Sequence, residues 1–355
     1  MVYLSIGAFY ALPRTGAVSF STAIAPIIHS TSFMSSMIFN ALFFGLALFL
    51  SWNPRQIVNH LGKILTPVLL VLLVLLVFLS LAKLPPSEVA PVGQYVHAPL
   101  TAGLLDGYMT MDSIAALAFG IIVVASFDQG EGGISGAKLI RRTSAAGLIA
   151  GILLGLVYVG LGLIGHVIPG GQNYTDGATL LADASHITMG TAGQLVFGLI
   201  VLTACMTTAV GLLAATSEFF ERLLPKITYK MWLVGFTIIS FVLASAGLSS
   251  VLTIAVPIIT FLYPIAITVV FMTITTHPFR LATPATWTFR LSTWVVAAWS
   301  AATTLAQVGV ATDRINSLLT WSPLQANQLG WILPTVVAAL IGACIDLVAM
   351  KHAAS

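Results

Sequence analysis

Charge is what this chain has least of. Only 7% of its 355 residues are Asp, Glu, Lys or Arg, whereas 58% are hydrophobic. A water-facing surface needs roughly a quarter to a third of its residues charged, and a mean hydropathy of +1.02 leaves no such surface to build. Lipid must therefore be the solvent. The two cysteines, Cys205 and Cys344, each lie inside an apolar run and read as packing residues, not as a disulfide framework. No glycine-rich phosphate loop followed by Lys and Ser or Thr occurs, which excludes ATP hydrolysis by that route. The seven histidines, among them His29, His166 and His277, lie in joints or near helix ends and lack metal-ligand spacing. The net charge of +3 is spread over particular loops, so nucleic acid is set aside as a partner.

What the chain does have is a succession of membrane-length apolar runs. A helix needs about 20 apolar residues to cross the hydrocarbon core. Runs of that kind fall near 2–27, 32–50, 63–82, 105–127, 143–167, 189–219, 231–247, 250–275, 288–308 and 329–350. The expected fold is an all-α polytopic membrane protein of about ten helices, with no room for a sizeable soluble domain. The first run has no basic segment before it and continues past Ser19, so it reads as a membrane helix and not as a cleavable signal. Between the seventh and eighth runs only Ala246, Gly247, Ser249 and Ser250 supply turn material. Residues 231–276 are nonetheless too long for one crossing, so two helices are expected there.

Lysine and arginine in the joints set orientation, because they are retained on the cytoplasmic side during insertion. One alternating set of joints holds eleven, including Arg55, Lys138, Arg141, Arg142, Arg222 and Lys351, and the opposite set holds only Lys83 and Arg314. That split predicts both ends of the chain in the cytoplasm. The longest outer joint, residues 85–106, carries Pro85, Pro86, Pro91 and Pro99 and reads as an irregular or short-helical cap. A second outer joint runs from Pro169 to His186. Gly147, Gly151 and Gly155, spaced by four, would let a neighbouring helix approach closely. Pro257 and Pro264 fall on one side of the eighth run, as a moving or a static bend. Gly133-Ile134-Ser135-Gly136 matches an intramembrane serine protease pattern, but it sits in a charged joint and reads as chance.

Three places carry chemistry that lipid does not favour. Pro13 and Arg14 stand near the middle of the first run. An arginine there costs at least about 2.5 kcal/mol, so it faces protein or water, either lining a cavity or closing an internal ion pair. Pro13 bends the helix by freeing a carbonyl one turn earlier. Asp112 in the fourth run is the natural partner of Arg14, as a gate or internal ion pair or in ion coupling. A little deeper, Ala118, Phe119 and Gly120 mark a place where the helix can unwind and expose backbone groups. In the sixth run Ala204, Thr207 and Thr208 share one face through i, i+3 and i+4 spacing. Two hydroxyls and a carbonyl form a hard oxygen site suited to sodium; the alternative is that the threonines bond the preceding turn.

These motifs resemble the bacterial branched-chain amino acid carriers, the LIVCS family. The resemblance rests on Tyr3 to Ser19 with its Pro13-Arg14-Thr15 core, on Gly107 to Asp112 followed by Phe119-Gly120, and on Cys205-Met206-Thr207-Thr208 followed by Gly211-Leu212. It covers essentially the whole chain. It implies the leucine-transporter-like fold of the amino acid/polyamine/organocation superfamily, built on two inverted five-helix repeats within twelve helices. On that mapping residues 1–104 form the remnant of the first repeat, 105–275 the second and 288–350 two C-terminal helices, and two family helices would precede Tyr3. The resemblance further implies import of leucine, isoleucine or valine with sodium or protons across the bacterial plasma membrane. The substrate would lie against Tyr10, Ala118, Phe119 and Gly120, and sodium at Ala204, Thr207 and Thr208. Neither another cofactor nor an obligate protein partner is implied. A non-transporting fragment of such a carrier, or a carrier of another small amino acid, is the alternative. A channel would need rings of charge around a pore, and a membrane enzyme a second carboxylate near Asp112; the sequence offers neither.

Overall fold

The structure, a computed structural model, describes residues 2–52, 57–85, 90–91, 93–108, 110, 112, 114–117, 120, 124, 136–174, 176–276 and 286–354. The longer helices among them are α1 (Ala11–Ser19), α2 (Phe33–Ser51), α3 (Ile57–Lys83), α4 (Pro99–Tyr108), α5 (Ala137–Val167), α6 (Gly177–Leu223), α7 (Tyr229–Ser245), α8 (Leu248–Thr276), α9 (Thr286–Gln307), α10 (Thr312–Leu319) and α11 (Ile332–Ala354). Among the described residues, six helices are long and apolar enough to cross a membrane: α2, α6, and most or all of α3, α5, α8 and α11. The α7 helix is apolar but shorter, at 17 residues. The α7–α8 boundary falls at Gly247, whose φ of 92° suits glycine and ends the helix as a left-handed cap.

The surfaces of these helices are inverted relative to a water-soluble protein. Leu42, Phe49, Val71 and Phe78 are exposed, while Ser19, Asn40, Ser51, Ser80, Ser185 and Ser217 are buried. Lipid accepts the apolar faces, and small hydroxylated residues let helices pack on the inside. Several buried hydroxyls return a hydrogen bond to their own helix, as Ser19 does to the Thr15 carbonyl at 2.7 Å and Thr188 to that of Ala184 at 2.7 Å.

The chain divides into two compact units. In the larger, residues 2–91 and 115–254, the first helical segment runs antiparallel to the second half of α6. The pairing is legible along its length: Tyr3 stacks on Phe219 with ring centroids 4.2 Å apart, and Gly7 lies against Thr216. Further along, Cys205 reaches Ser19, and Gly198 lies under Ala23. A Cβ on Gly198 would come 2.9 Å from the Ala23 Cα and 3.0 Å from the Thr22 carbonyl oxygen, so the approach requires glycine. A second apolar cluster, Leu76, Ile164, Ile168, Ala184 and Phe197, joins α3, α5 and α6.

The expected glycine contact on α5 is not where the spacing placed it. Gly147, Gly151 and Gly155 have nothing within 4 Å of an added Cβ, and the close approach is instead at Gly160, where Val77 would stand 2.8 Å away. The four-residue spacing is a lipid-facing stripe, since Leu148, Ile152 and Leu156 beside it are exposed. The second outer joint is also shorter than expected. Helix α6 starts at Gly177, because Asp176 caps it by accepting the Ala178 and Thr179 N–H groups at 2.9 Å each. It then breaks at Gly190, whose φ of 71° and ψ of −172° lie outside the helical region.

In the smaller unit, residues 92–114 and 255–355, α9 packs on α11. Asp346 accepts the Trp287 N–H at 3.1 Å, the Thr288 N–H at 2.9 Å and the Thr288 hydroxyl at 2.8 Å. A carboxylate from one helix thereby satisfies donors in the first turn of another. Among the described residues of the long joint, Gly93–Val96 forms a 3-10 turn ahead of α4. The Tyr95 hydroxyl donates to the Asp106 carboxylate, and that bond, with partial burial, raises the Tyr95 phenol above its usual range.

Candidate substrate and ion site

The first span is not one continuous helix. A π-type turn over Ser5–Phe9 precedes α1, with Gly7 at ψ −120° and Tyr10 at φ −139°, ψ −70°. Pro13 accounts for the position of the break: it has no N–H for the carbonyl one turn back and its ring crowds that turn. Regular bonding resumes with the Arg14 N–H to the Tyr10 carbonyl at 3.0 Å. Tyr10 is 4% exposed, and its hydroxyl accepts from Arg14 Nη1 at 3.2 Å. The guanidinium also stands 5.7 Å from the Tyr10 ring centroid. Arg14 is thus held by its own helix through Tyr10. Asp112 belongs to the other compact unit.

On α6 the three expected oxygen donors come together. The Thr207 hydroxyl donates to the Ala204 carbonyl at 2.8 Å and the Thr208 hydroxyl to the same oxygen at 2.9 Å. This is the back-bonded arrangement of threonine in a helix. Each hydroxyl oxygen still carries lone pairs beyond the proton it gives away, so the cluster offers acceptors as well as a satisfied backbone group. Of the expected break in the fourth span, Gly120 is described, as helical and half-buried; Ala118 and Phe119 lie outside the described residues.

Between these elements the larger unit encloses a cavity of about 370 Å³. Arg14, Val18 and Thr22 form one wall, Leu161 and Gly165 of α5 a second, and the start of α6 from Asp176 to Leu181 a third. Phe197 and Val201 of α6 and Leu248 and Leu252 of α8 complete it. Val201 stands one helical turn before Ala204. A buried contact of Ala17, Ala178 and Leu248 seals one edge, with Val18 and Leu252 against it.

Sequence reasoning singled out Arg14 but not Asp176, Gly190 or Lys83. Two of the three left a signal. Asp176 precedes an apolar run in the position of a helix N-cap, and Lys83 is one of only two basic residues in its set of joints.

The chain matches the family described as branched-chain amino acid transport protein over residues 1–349. It is 48% identical over 346 residues to the branched-chain amino acid permease BrnQ of Corynebacterium glutamicum, an alignment covering 97% of this chain and 76% of the permease. A putative branched-chain amino acid carrier protein of Staphylococcus saprophyticus is 32% identical over 369 residues, covering 99% of this chain and 80% of the carrier. One from Staphylococcus aureus is 31% identical over 366 residues, covering 98% and 79%.

Proposed function

The chain belongs to the branched-chain amino acid transport protein family, and from that premise we propose that it imports leucine, isoleucine or valine by secondary active transport, driven by a sodium or proton gradient. It is a multi-pass membrane transport protein and not an enzyme. The substrate's aliphatic group lies against Tyr10 and Phe119, and its amino group near backbone carbonyls around Ala118 and Gly120, which would hold it without a fixed charge. Gating falls to Arg14, the charged side chain of the first span. The distribution of lysine and arginine favours both ends of the chain in the cytoplasm.

The observation that carries the coupling is the oxygen cluster of Ala204, Thr207 and Thr208. Three oxygens from one helical turn make half a shell for a hard, oxygen-seeking cation. Sodium bound there would stabilise the arrangement that also binds substrate, and coupling follows from that differential affinity. Proton coupling is the second reading, favoured by one fact: both threonine hydroxyls already donate to the Ala204 carbonyl, an arrangement that needs no bound ion.

Uptake of labelled leucine into proteoliposomes under separately imposed sodium and pH gradients tests the proposal. Sodium-driven uptake that Thr207→Ala weakens supports the oxygen cluster. Uptake that ignores sodium and follows the pH gradient selects the proton reading. Uptake that unlabelled leucine, isoleucine and valine do not inhibit overturns the substrate assignment.

A further inference from the structure

The cavity beside Arg14 has a composition that packing alone does not explain. Its walls are apolar apart from Thr22 and two charged side chains, Arg14 and Asp176, and these two make no ion pair with each other among the described residues. Asp176 is fixed, with Oδ1 accepting two backbone N–H groups of α6. Arg14 spends one of the five N–H donors of a guanidinium on Tyr10. Two opposite charges facing one apolar cavity remain costly while the rest of their hydrogen-bonding capacity, Oδ2 of Asp176 and the other guanidinium N–H groups of Arg14, is left to that cavity. At about 370 Å³ the space is at the small end of ligand sites, which run from about 300 to 1,000 Å³.

Few small molecules answer both charges and the apolar wall together. An inorganic anion would satisfy Arg14 alone and a cation Asp176 alone, while a lipid tail would leave both charges unmet. An α-amino acid carries carboxylate and ammonium on one carbon, and a branched aliphatic side chain matches Phe197, Val201 and Leu181. We propose that this cavity is a holding site for the zwitterionic substrate: Arg14 takes the α-carboxylate, Asp176 the α-ammonium, and the wall at Phe197 and Val201 the branched side chain. The proposal rests on the transport reading above and adds to it. Substrate pauses here, one helical turn from Ala204, before passing to the place bounded by Tyr10. Asp176 lies in the joint that the charge split assigns to the outer face, which puts the site toward the entry side. It demands both ionic groups of the amino acid, which a site built on backbone carbonyls does not.

The test is equilibrium binding of labelled leucine to the purified full chain in lipid nanodiscs, with unlabelled leucine and 4-methyl-2-oxopentanoate, which lacks the ammonium, as competitors. Asp176→Asn keeps a side chain that caps helices well while removing the negative charge. It is expected to weaken leucine binding by about tenfold and to leave the oxo acid's affinity unchanged, so that discrimination between the two collapses. Gly165→Phe fills the cavity from α5, where an added Cβ meets nothing within 4 Å; it should lower affinity for both ligands without shifting the thermal unfolding midpoint. If leucine binds and Asp176→Asn retains full discrimination, the site is overturned. Equal weakening for both ligands assigns Asp176 a structural role and also overturns it. If the unmodified chain binds no leucine, the transport reading fails and this site with it.

Discussion

The Lys83 ammonium donates a hydrogen bond to the Thr188 backbone carbonyl at 2.5 Å, two residues before the break in α6 at Gly190. A break of that kind removes the intrahelical partners of the carbonyls just before it. A lysine from the end of α3 fills one of those vacancies, and so ties the break to a neighbouring helix. The backbone at Gly190, φ 71° and ψ −172°, is a region only glycine occupies without strain.

Gly190→Ala should therefore destabilise the protein by about 1–3 kcal/mol, read as a lower thermal unfolding midpoint in detergent. Lys83→Met should do so by about 1 kcal/mol. The two changes act on one element, so the double variant should fall short of the sum; strict additivity would separate the lysine from the break.

The Ala204 cluster makes a different prediction. Both threonine hydroxyls bond within their own helix, so Thr207→Ala and Thr208→Ala should leave the stability within about 0.5 kcal/mol of the parent. Under the sodium reading each raises the sodium concentration needed for half-maximal leucine uptake. An unchanged sodium response in both would remove the site.

In the smaller unit, Asp346 holds the start of α9 through three hydrogen bonds. Asp346→Ala strands those donors and should destabilise by about 1–3 kcal/mol. Gly342→Leu, one turn away on α11, should be at least as damaging, because a Cβ there would sit 2.6 Å from the Thr288 Cα and backbone cannot step aside. A midpoint unchanged in both variants contradicts the α9–α11 packing.

Close approach also fixes the antiparallel pairing of the first segment with α6. Gly198→Val should wedge these apart, since the obstruction is the Ala23 backbone, lowering both stability and leucine binding. Gly45→Val on α2, where an added Cβ meets nothing, is the matched control and should be silent in both assays.

Much of this was legible in the sequence because lipid imposes a simple rule. Apolar length places α2, α3, α5, α7, α8, α9 and α11 close to where they stand, and Pro13 marks the disturbed stretch of the first span. The threonine spacing at Ala204 also carries through, because i, i+3 and i+4 neighbours on a helix meet whatever surrounds them. Tertiary relations were not legible in this way. Gly160 and not Gly147 takes the close contact, since glycine spacing says nothing about which face meets lipid. Asp176 reads locally as a cap, and only the fold brings it to the same cavity as Arg14, 162 positions away in sequence.

The most direct test of the central claim is counterflow of labelled leucine in proteoliposomes preloaded with unlabelled leucine. Transient accumulation of label, abolished by external isoleucine or valine and insensitive to alanine or glutamate, is the predicted result. Label that only equilibrates, at a rate proportional to leucine concentration and indifferent to competitors, would contradict the account.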